Sequence, residues 1–154
     1  RVMVSLGIVD VMDNPLKPSF TPFVEHLGVE LVRFEKGQSE IKLDLHAHHE
    51  NGLAVAHGGV IMTLLDVAMA LAAKSSDPDG QGVVTVEMKT TFLRPAKGEL
   101  HAFGWCDHYS STMAFCRAEL RDTHDRLLAQ AMGTFKRMAA FSRKNRLKSP
   151  SLHD

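Results

Sequence analysis

One stretch limits the choice of fold more than any other. Residues 60–73, VIMTLLDVAMALAA, place apolar side chains on every side of a helix, and only Thr63 and Asp66 interrupt them. A helix that is apolar all round has no face to give to water and must be surrounded. The run is shorter than the roughly 20 residues a membrane span needs, and it carries a carboxylate near its middle. It predicts a buried helix, and the rest of the chain must supply the surround.

Short alternating segments do so. VELVRFEKGQSEIKLDL predicts a hairpin: a strand near residues 29–34, a turn at Lys36-Gly37, then apolar side chains alternating at Ile41, Leu43 and Leu45. SSDPDGQG, after the helix, is a dense turn signal. Val84, Val86, Met88, Thr90 and Phe92 then alternate with Thr85, Glu87, Lys89 and Thr91 until Pro95 ends the strand. Further strands are expected near 100–107, 112–121 and 127–138, the last entered through the turn RDTHDR. One helix among about six strands excludes a doubly wound α/β fold, which needs a helix at nearly every crossover. The expected fold is α+β, with a curved antiparallel sheet wrapped around the helix.

Residues 1–28 lack periodicity, and Pro15, Pro18 and Pro22 predict an irregular entry. Residues 29–138 form the expected domain, and residues 139–154 read as a basic, disordered tail. Lys plus Arg equals Asp plus Glu at 18 each, so no global charge recruits nucleic acid or membrane. Cys106 and Cys116 lie in predicted strands without CxxC spacing, which points to no disulfide framework and a reducing, cytoplasmic compartment. The opening RVMVSLG is too short, and too polar beyond, for a secretory signal.

Asp66 is the chemical anomaly. An unpaired carboxylate in apolar surroundings costs several kcal/mol unless something compensates it. Just before the helix, His57-Gly58-Gly59 offers backbone N–H groups at the positive end of the macrodipole, with no side chain in the way. Such an N–H stabilises an oxyanion during acyl transfer. The alternative is a tight turn with His57 as a helix cap. Asp66 lies eight residues beyond Gly58, roughly 12 Å along the helix axis, too far to meet a carbonyl held at that helix's own start. Two antiparallel helices across a two-fold axis would pair each Asp66 with the partner's helix start.

HAHH, at residues 46–49, invites a metal assignment, since His46 and His48 would share one strand face. No Cys, Asp or Glu spacing completes a site, so polar surface or cleft lining is expected and no metal. Trp105 and Tyr109 are expected to pack.

The pattern NG…HGG, with Asp66 nine residues after His57, resembles the hotdog-fold acyl-CoA thioesterases of the phenylacetate-degradation (PaaI-like) type. The resemblance spans about residues 25–138 and includes VTVEMKTTFLRPAKG and RLLAQAMGTFKRM. It implies a helix wrapped by a sheet, and subunits paired as dimers or as a tetramer of two dimers. It implies Asp66 as nucleophile or general base, Gly58 as the oxyanion donor with His57 beside it, and Gly59 at the substrate. Asn51 would orient water or substrate, and Thr85 would help hold the hydrolytic water. Met62 and Met69 would fill the core or wall an acyl pocket. The substrate is an acyl-CoA, and no separate cofactor is implied. The chain departs from the pattern at Ala54, where many relatives have Gly, and in HYSSTMAF, where Ser110 and Ser111 replace a basic residue that reaches CoA phosphate. Arg94, Lys97 or the tail residues Arg143 and Lys144 would then grip the nucleotide. The alternatives are a hotdog dehydratase or hydratase and a non-catalytic acyl-CoA-sensing module.

Overall fold

The computed structural model describes residues 20–78 and 82–138. The irregular start as far as residue 19 and the tail at 139–154 lie outside the described residues. Six strands form one antiparallel sheet: β1 (Glu30–Glu35), β2 (Gln38–Asp44), β3 (Gly82–Phe92), β4 (Glu99–Tyr109), β5 (Met113–Asp122) and β6 (Leu127–Met138). Their order is β1-β2-β4-β5-β6-β3, so β1 and β3 are the edges. Between β2 and β3 the chain forms an 18-residue helix, Gly58–Ser75, labelled α2 below. A short helix, α1 (Pro22–His26), precedes β1.

The sheet covers one side of α2, but the helix is not surrounded as expected: Met62 is 39% exposed, and Thr63, Asp66, Val67 and Ala70 on the same face are only partly buried. Leu64, Leu65, Ala68, Met69 and Ala72 are wholly or almost wholly buried against the sheet. Removing a Leu or Met side chain from water contributes about 1.5–3 kcal/mol each. By length and composition alone α2 could cross a membrane; in this fold it is the core helix. Helix and sheet come closest together at Gly104 of β4. A Cβ there would run into the Ala68 carbonyl, so no other residue fits. Beside it the buried Ser39 hydroxyl donates to that same oxygen at 2.6 Å.

The hairpin turn falls at Lys36-Gly37 as predicted. Both residues have positive φ (47° and 76°), the backbone of a type I′ turn, whose twist matches the flanking strands. The Ser75 hydroxyl accepts from the Gly37 N–H at 3.0 Å and ties this turn to the end of α2.

Three further expectations are corrected. The stretch read as irregular to residue 28 contains α1, because Pro22 at its first position has φ preset for a helix and Val24 is buried. The HAHH run is not a strand: β2 ends at Asp44 and residues Ala47–His49 form a 3₁₀ turn, so His46 and His48 share no strand face. His49 is fully buried rather than surface or cleft lining. Its Nδ1 accepts from the His46 N–H at 3.0 Å, so the neutral ring carries its proton on Nε2 and donates to the Leu27 carbonyl at 2.9 Å. Burial and the neighbouring His48 hold its pKa below the ordinary histidine value, in keeping with that neutral role. Among the described residues no cluster of three or more His, Cys, Asp or Glu could hold a metal.

The third correction concerns β3. Its register on β6 shifts between Thr85 and Glu87, a bulge that breaks the alternation. Val86 is 56% exposed and Phe92 51%, so the five residues expected on one face do not share one environment.

Candidate active site

At the start of α2, His57 is the N-cap, and its Nδ1 accepts from the Gly59 N–H at 2.9 Å. The His57 carbonyl accepts from Val60 and Ile61 (2.9 and 3.2 Å). The Gly58 N–H is thereby left as the donor of this first turn with no acceptor among the described residues. A Cβ at Gly58 would meet the Phe92 ring at an ordinary 3.6 Å, so the chain's own packing does not demand glycine here. What glycine preserves is open access to the N–H.

Asn51 stands beside this point and shapes the loop that leads to it. Its Oδ1 accepts from the Leu53 N–H at 2.8 Å, and its backbone exchanges bonds with Val55 and Ala54. Ala54 takes the left-handed conformation, φ 53°, which explains why glycine suits this position. Asn51, Gly58 and Arg94 line a common cleft of about 420 Å³ with Ile61, Phe92 and Leu93.

Two turns along α2, Asp66 faces β3. The Thr85 hydroxyl donates to Asp66 Oδ1 at 2.6 Å, a short charge-assisted bond. The register shift that follows Thr85 marks where β3 departs from a regular ladder. Thr85 thus fixes one carboxylate oxygen and leaves Oδ2 without a bond to any described residue. Asp66 lines a second, larger cleft of about 520 Å³, which is apolar apart from Thr21, Thr63 and Asp66 itself. Its walls are Phe20, Phe23 and Val24 from α1 and its entry, Met62, Val67 and Leu71 from α2, and Met88 from β3. Met62 therefore walls this cleft, whereas Met69 is core. The contribution of α1 is not anticipated from periodicity. Its signal is Thr21-Pro22 ahead of Phe23, Val24 and Leu27, a helix start with an apolar stripe.

Within one chain the predicted residues fall into separate groups. Asp66 and Thr85 meet, as do His57 and Gly59. Gly58 and Asp66 open into different clefts. Arg94 is anchored by its Nη1 donating to the Leu127 carbonyl at 2.7 Å, and Lys97 follows three residues later. Ser110 and Ser111 lie at the other end of the helix. Ser110 holds the β4–β5 turn through Met113 and receives Arg137, which pairs with Asp77 just past α2.

One long helix held in a six-stranded antiparallel sheet is the hotdog fold, and in this chain the Asp66 carboxylate on that helix faces a cleft. The model of the thioesterase superfamily matches residues 53–129, and the chain belongs to that superfamily. Its activity class is accordingly thioester hydrolysis. A Saccharolobus solfataricus protein provisionally named an esterase is 31% identical over 131 residues, covering 80% of this chain and 93% of that one. The medium/long-chain acyl-CoA thioesterase YigI of Escherichia coli is 27% identical over 130 residues, covering 74% and 84%. The phenylacetic acid degradation protein PaaI of Thermus thermophilus, solved as a mutant, superposes with a TM-score of 0.69 at 27% identity and covers 77% of this chain and 100% of that one. The PaaI-like resemblance stands.

Proposed function

We propose that this protein hydrolyses an acyl-CoA to the free acid and CoA, with Asp66 as the reacting carboxylate. The observation that carries this reading is the 2.6 Å bond from Thr85 to Asp66 Oδ1, at a cleft whose lining is apolar apart from Thr21, Thr63 and Asp66. A carboxylate with one oxygen held and the other free is oriented for reaction, and apolar walls suit an acyl group. Oδ2 either adds to the thioester carbonyl or takes the proton from a water that does so. The carbonyl oxygen gathers negative charge and needs a donor, and the unengaged Gly58 N–H fits that need. Gly58 and Asp66 are roughly 12 Å apart along one helix, so the donor comes from a second copy whose α2 runs antiparallel. Collapse of the tetrahedral species expels the CoA thiolate and leaves the free acid where water attacked, or an aspartyl–acyl anhydride that a water then hydrolyses to the acid and Asp66 where Oδ2 attacked.

The fit of the cleft favours an aliphatic or aryl acyl group, and the similarity to YigI leans toward a medium or long chain. Arg94 and Lys97, near the helix start, are the described cations suited to CoA phosphates; Arg143 and Lys144 lie outside the described residues. In this reading the enzyme works in a reducing compartment such as the cytoplasm, which rests on two cysteines without the spacing of a disulfide framework. Incubating the protein with a panel of acyl-CoAs and a thiol reagent tests the reading. Release of CoA thiol supports it; tight binding without release would move the protein to the sensing class, and water addition to enoyl-CoA would move it to the hydratases. A single turnover in ¹⁸O water then tests the nucleophilic role, since label enters Asp66 only when water opens an aspartyl–acyl anhydride at the aspartyl carbonyl, and trapping the acyl-enzyme with hydroxylamine detects an anhydride opened at the acyl carbon instead.

A further inference from the structure

Cys106 and Cys116 are ten positions apart in the sequence, yet they stand directly opposite each other on β4 and β5. The Cys106 N–H donates to the Gly37 carbonyl at 2.8 Å, toward the β2 side of the strand. Because a residue's N–H and C=O leave a strand on one side, Cys106 makes no ladder bond to β5. The two cysteines therefore occupy a non-hydrogen-bonded pair. Opposed residues at such a pair have Cα atoms about 4.5 Å apart, within the roughly 4.4–6.8 Å that a disulfide spans. At the same point the β4–β5 register shifts between Cys106 and His108, leaving Asp107 without an opposite residue on β5 and the strand able to bend. Both thiols are free.

We propose that Cys106 and Cys116 form a redox-active dithiol that peroxides close to a cross-strand disulfide. Cys106 is half-buried and Cys116 buried, so the oxidant meets Cys106 first. The Cys106 thiolate attacks one peroxide oxygen and the O–O bond breaks. Cys106 becomes a sulfenic acid, and the departing hydroxide takes the proton that the thiol had lost, giving water. The Cys116 sulfur then attacks the Cys106 sulfur, and the S–O bond breaks as the S–S bond forms. The displaced hydroxyl leaves with the Cys116 proton as a second water. Two thiols and one peroxide give one disulfide and two waters, with two electrons passing from sulfur to oxygen.

The surroundings favour this order. The hydrogen bond with Cys116, together with Ser76 and against the effect of burial, draws the Cys106 thiol down to about 7, where the thiolate is abundant at neutral pH. The same hydrogen bond and burial push Cys116 up, which keeps it protonated until a sulfenic acid forms beside it. The bond would join β4 to β5 next to the C-terminal end of α2. It depends on sheet register alone and stands apart from the thioesterase reading.

The test treats the full chain with hydrogen peroxide, blocks remaining thiols after denaturation, and reads peptide masses. No Lys or Arg lies between the two cysteines, so one tryptic peptide carries both. The expected result is that both thiols disappear together, that this peptide loses two hydrogens, and that dithiothreitol restores it. Chymotryptic cleavage between them should leave two joined fragments. In Cys116→Ala, Cys106 should advance to the sulfinic acid; in Cys106→Ala, Cys116 should stay a thiol at the same dose. Oxygen added to Cys106 of the native chain while Cys116 still alkylates would overturn the proposal. So would a disulfide between two chains, or two thiols surviving a dose that oxidises the exposed Met132.

Discussion

Asp66 and Thr85 act as one unit. Asp66→Asn keeps the shape and still accepts from Thr85, but it loses nucleophilicity and basicity. The turnover rate should fall by about 10²–10⁴-fold, the range for losing a general base, with the melting temperature near that of the native chain. Normal turnover in the purified variant would remove Asp66 from the mechanism. Thr85→Val deletes the donor, and a hydrogen bond to a charged group contributes about 1.5–3 kcal/mol. Roughly a tenfold loss of kcat is expected, since the site is open to solvent, and Thr85→Ser should restore it. Equal losses in Ser and Val would mean that the methyl group, not the hydroxyl, matters. Ala54 gives a prediction on stability alone. A non-glycine residue in the left-handed region costs about 1 kcal/mol or more, so Ala54→Gly should raise unfolding free energy by about 0.5–1 kcal/mol after the entropy of glycine is set against it. A lower urea midpoint would show that this loop carries no strain.

At the scale of elements, the helix-on-sheet contact is set by Gly104 and Ser39 of the neighbouring strands β4 and β2. Gly104→Ala would drive a methyl group into the Ala68 backbone. It should cost more than the roughly 1–3 kcal/mol typical of overpacking, because backbone rather than a flexible side chain must move. A soluble variant with an unchanged melting temperature would contradict the packing described. On the outer side of the same two strands, His101 donates toward Glu99 and Glu40 at 2.8 and 3.0 Å. Burial lowers its pKa, but the two hydrogen bonds and charges outweigh burial, and it lies above the ordinary histidine value. A raised pKa means that this contribution is complete below about pH 6.5 and is lost as pH rises through the folded value. Native stability should therefore fall modestly from about pH 6 to 8, limited by solvent screening. His101→Gln should flatten that slope; an identical slope in the variant would assign it to other groups.

For the whole molecule, the separation of Gly58 from Asp66 decides how many copies an active site needs. If the oxyanion donor comes from a second copy, specific activity should fall on dilution below the dimer dissociation constant. Mixing inactive Asp66→Asn chains with chains altered at the helix start should restore part of it, since one of the two composite sites is then intact. Full activity from a monodisperse monomer would end the composite-site proposal.

Much of this molecule was legible in residue order because the signals are local. The core helix follows from a long apolar run, the strands from two-residue alternation, and the Lys36-Gly37 turn from a glycine that tolerates positive φ. Asp66, Gly58 and Thr85 stand out in the sequence as chemistry out of place or as a family pattern, and the structure joins Asp66 to Thr85 while Gly58 opens into another cleft. Other features depend on which distant segments meet. His49 looked like a surface histidine until Leu27 and His57 closed around it. The bulge after Thr85 is set by pairing with β6 and leaves no mark in an alternating strand. Phe20 and Phe23 reach the wall of the Asp66 cleft because α1 and its entry border a cleft whose other walls come from α2 and β3. Cys106 and Cys116, ten residues apart and without motif spacing, become partners through the β4–β5 register. Local preference is written along the chain; register and long-range contact arise only when the sheet closes on its helix, because they are properties of pairs that sequence separation does not encode.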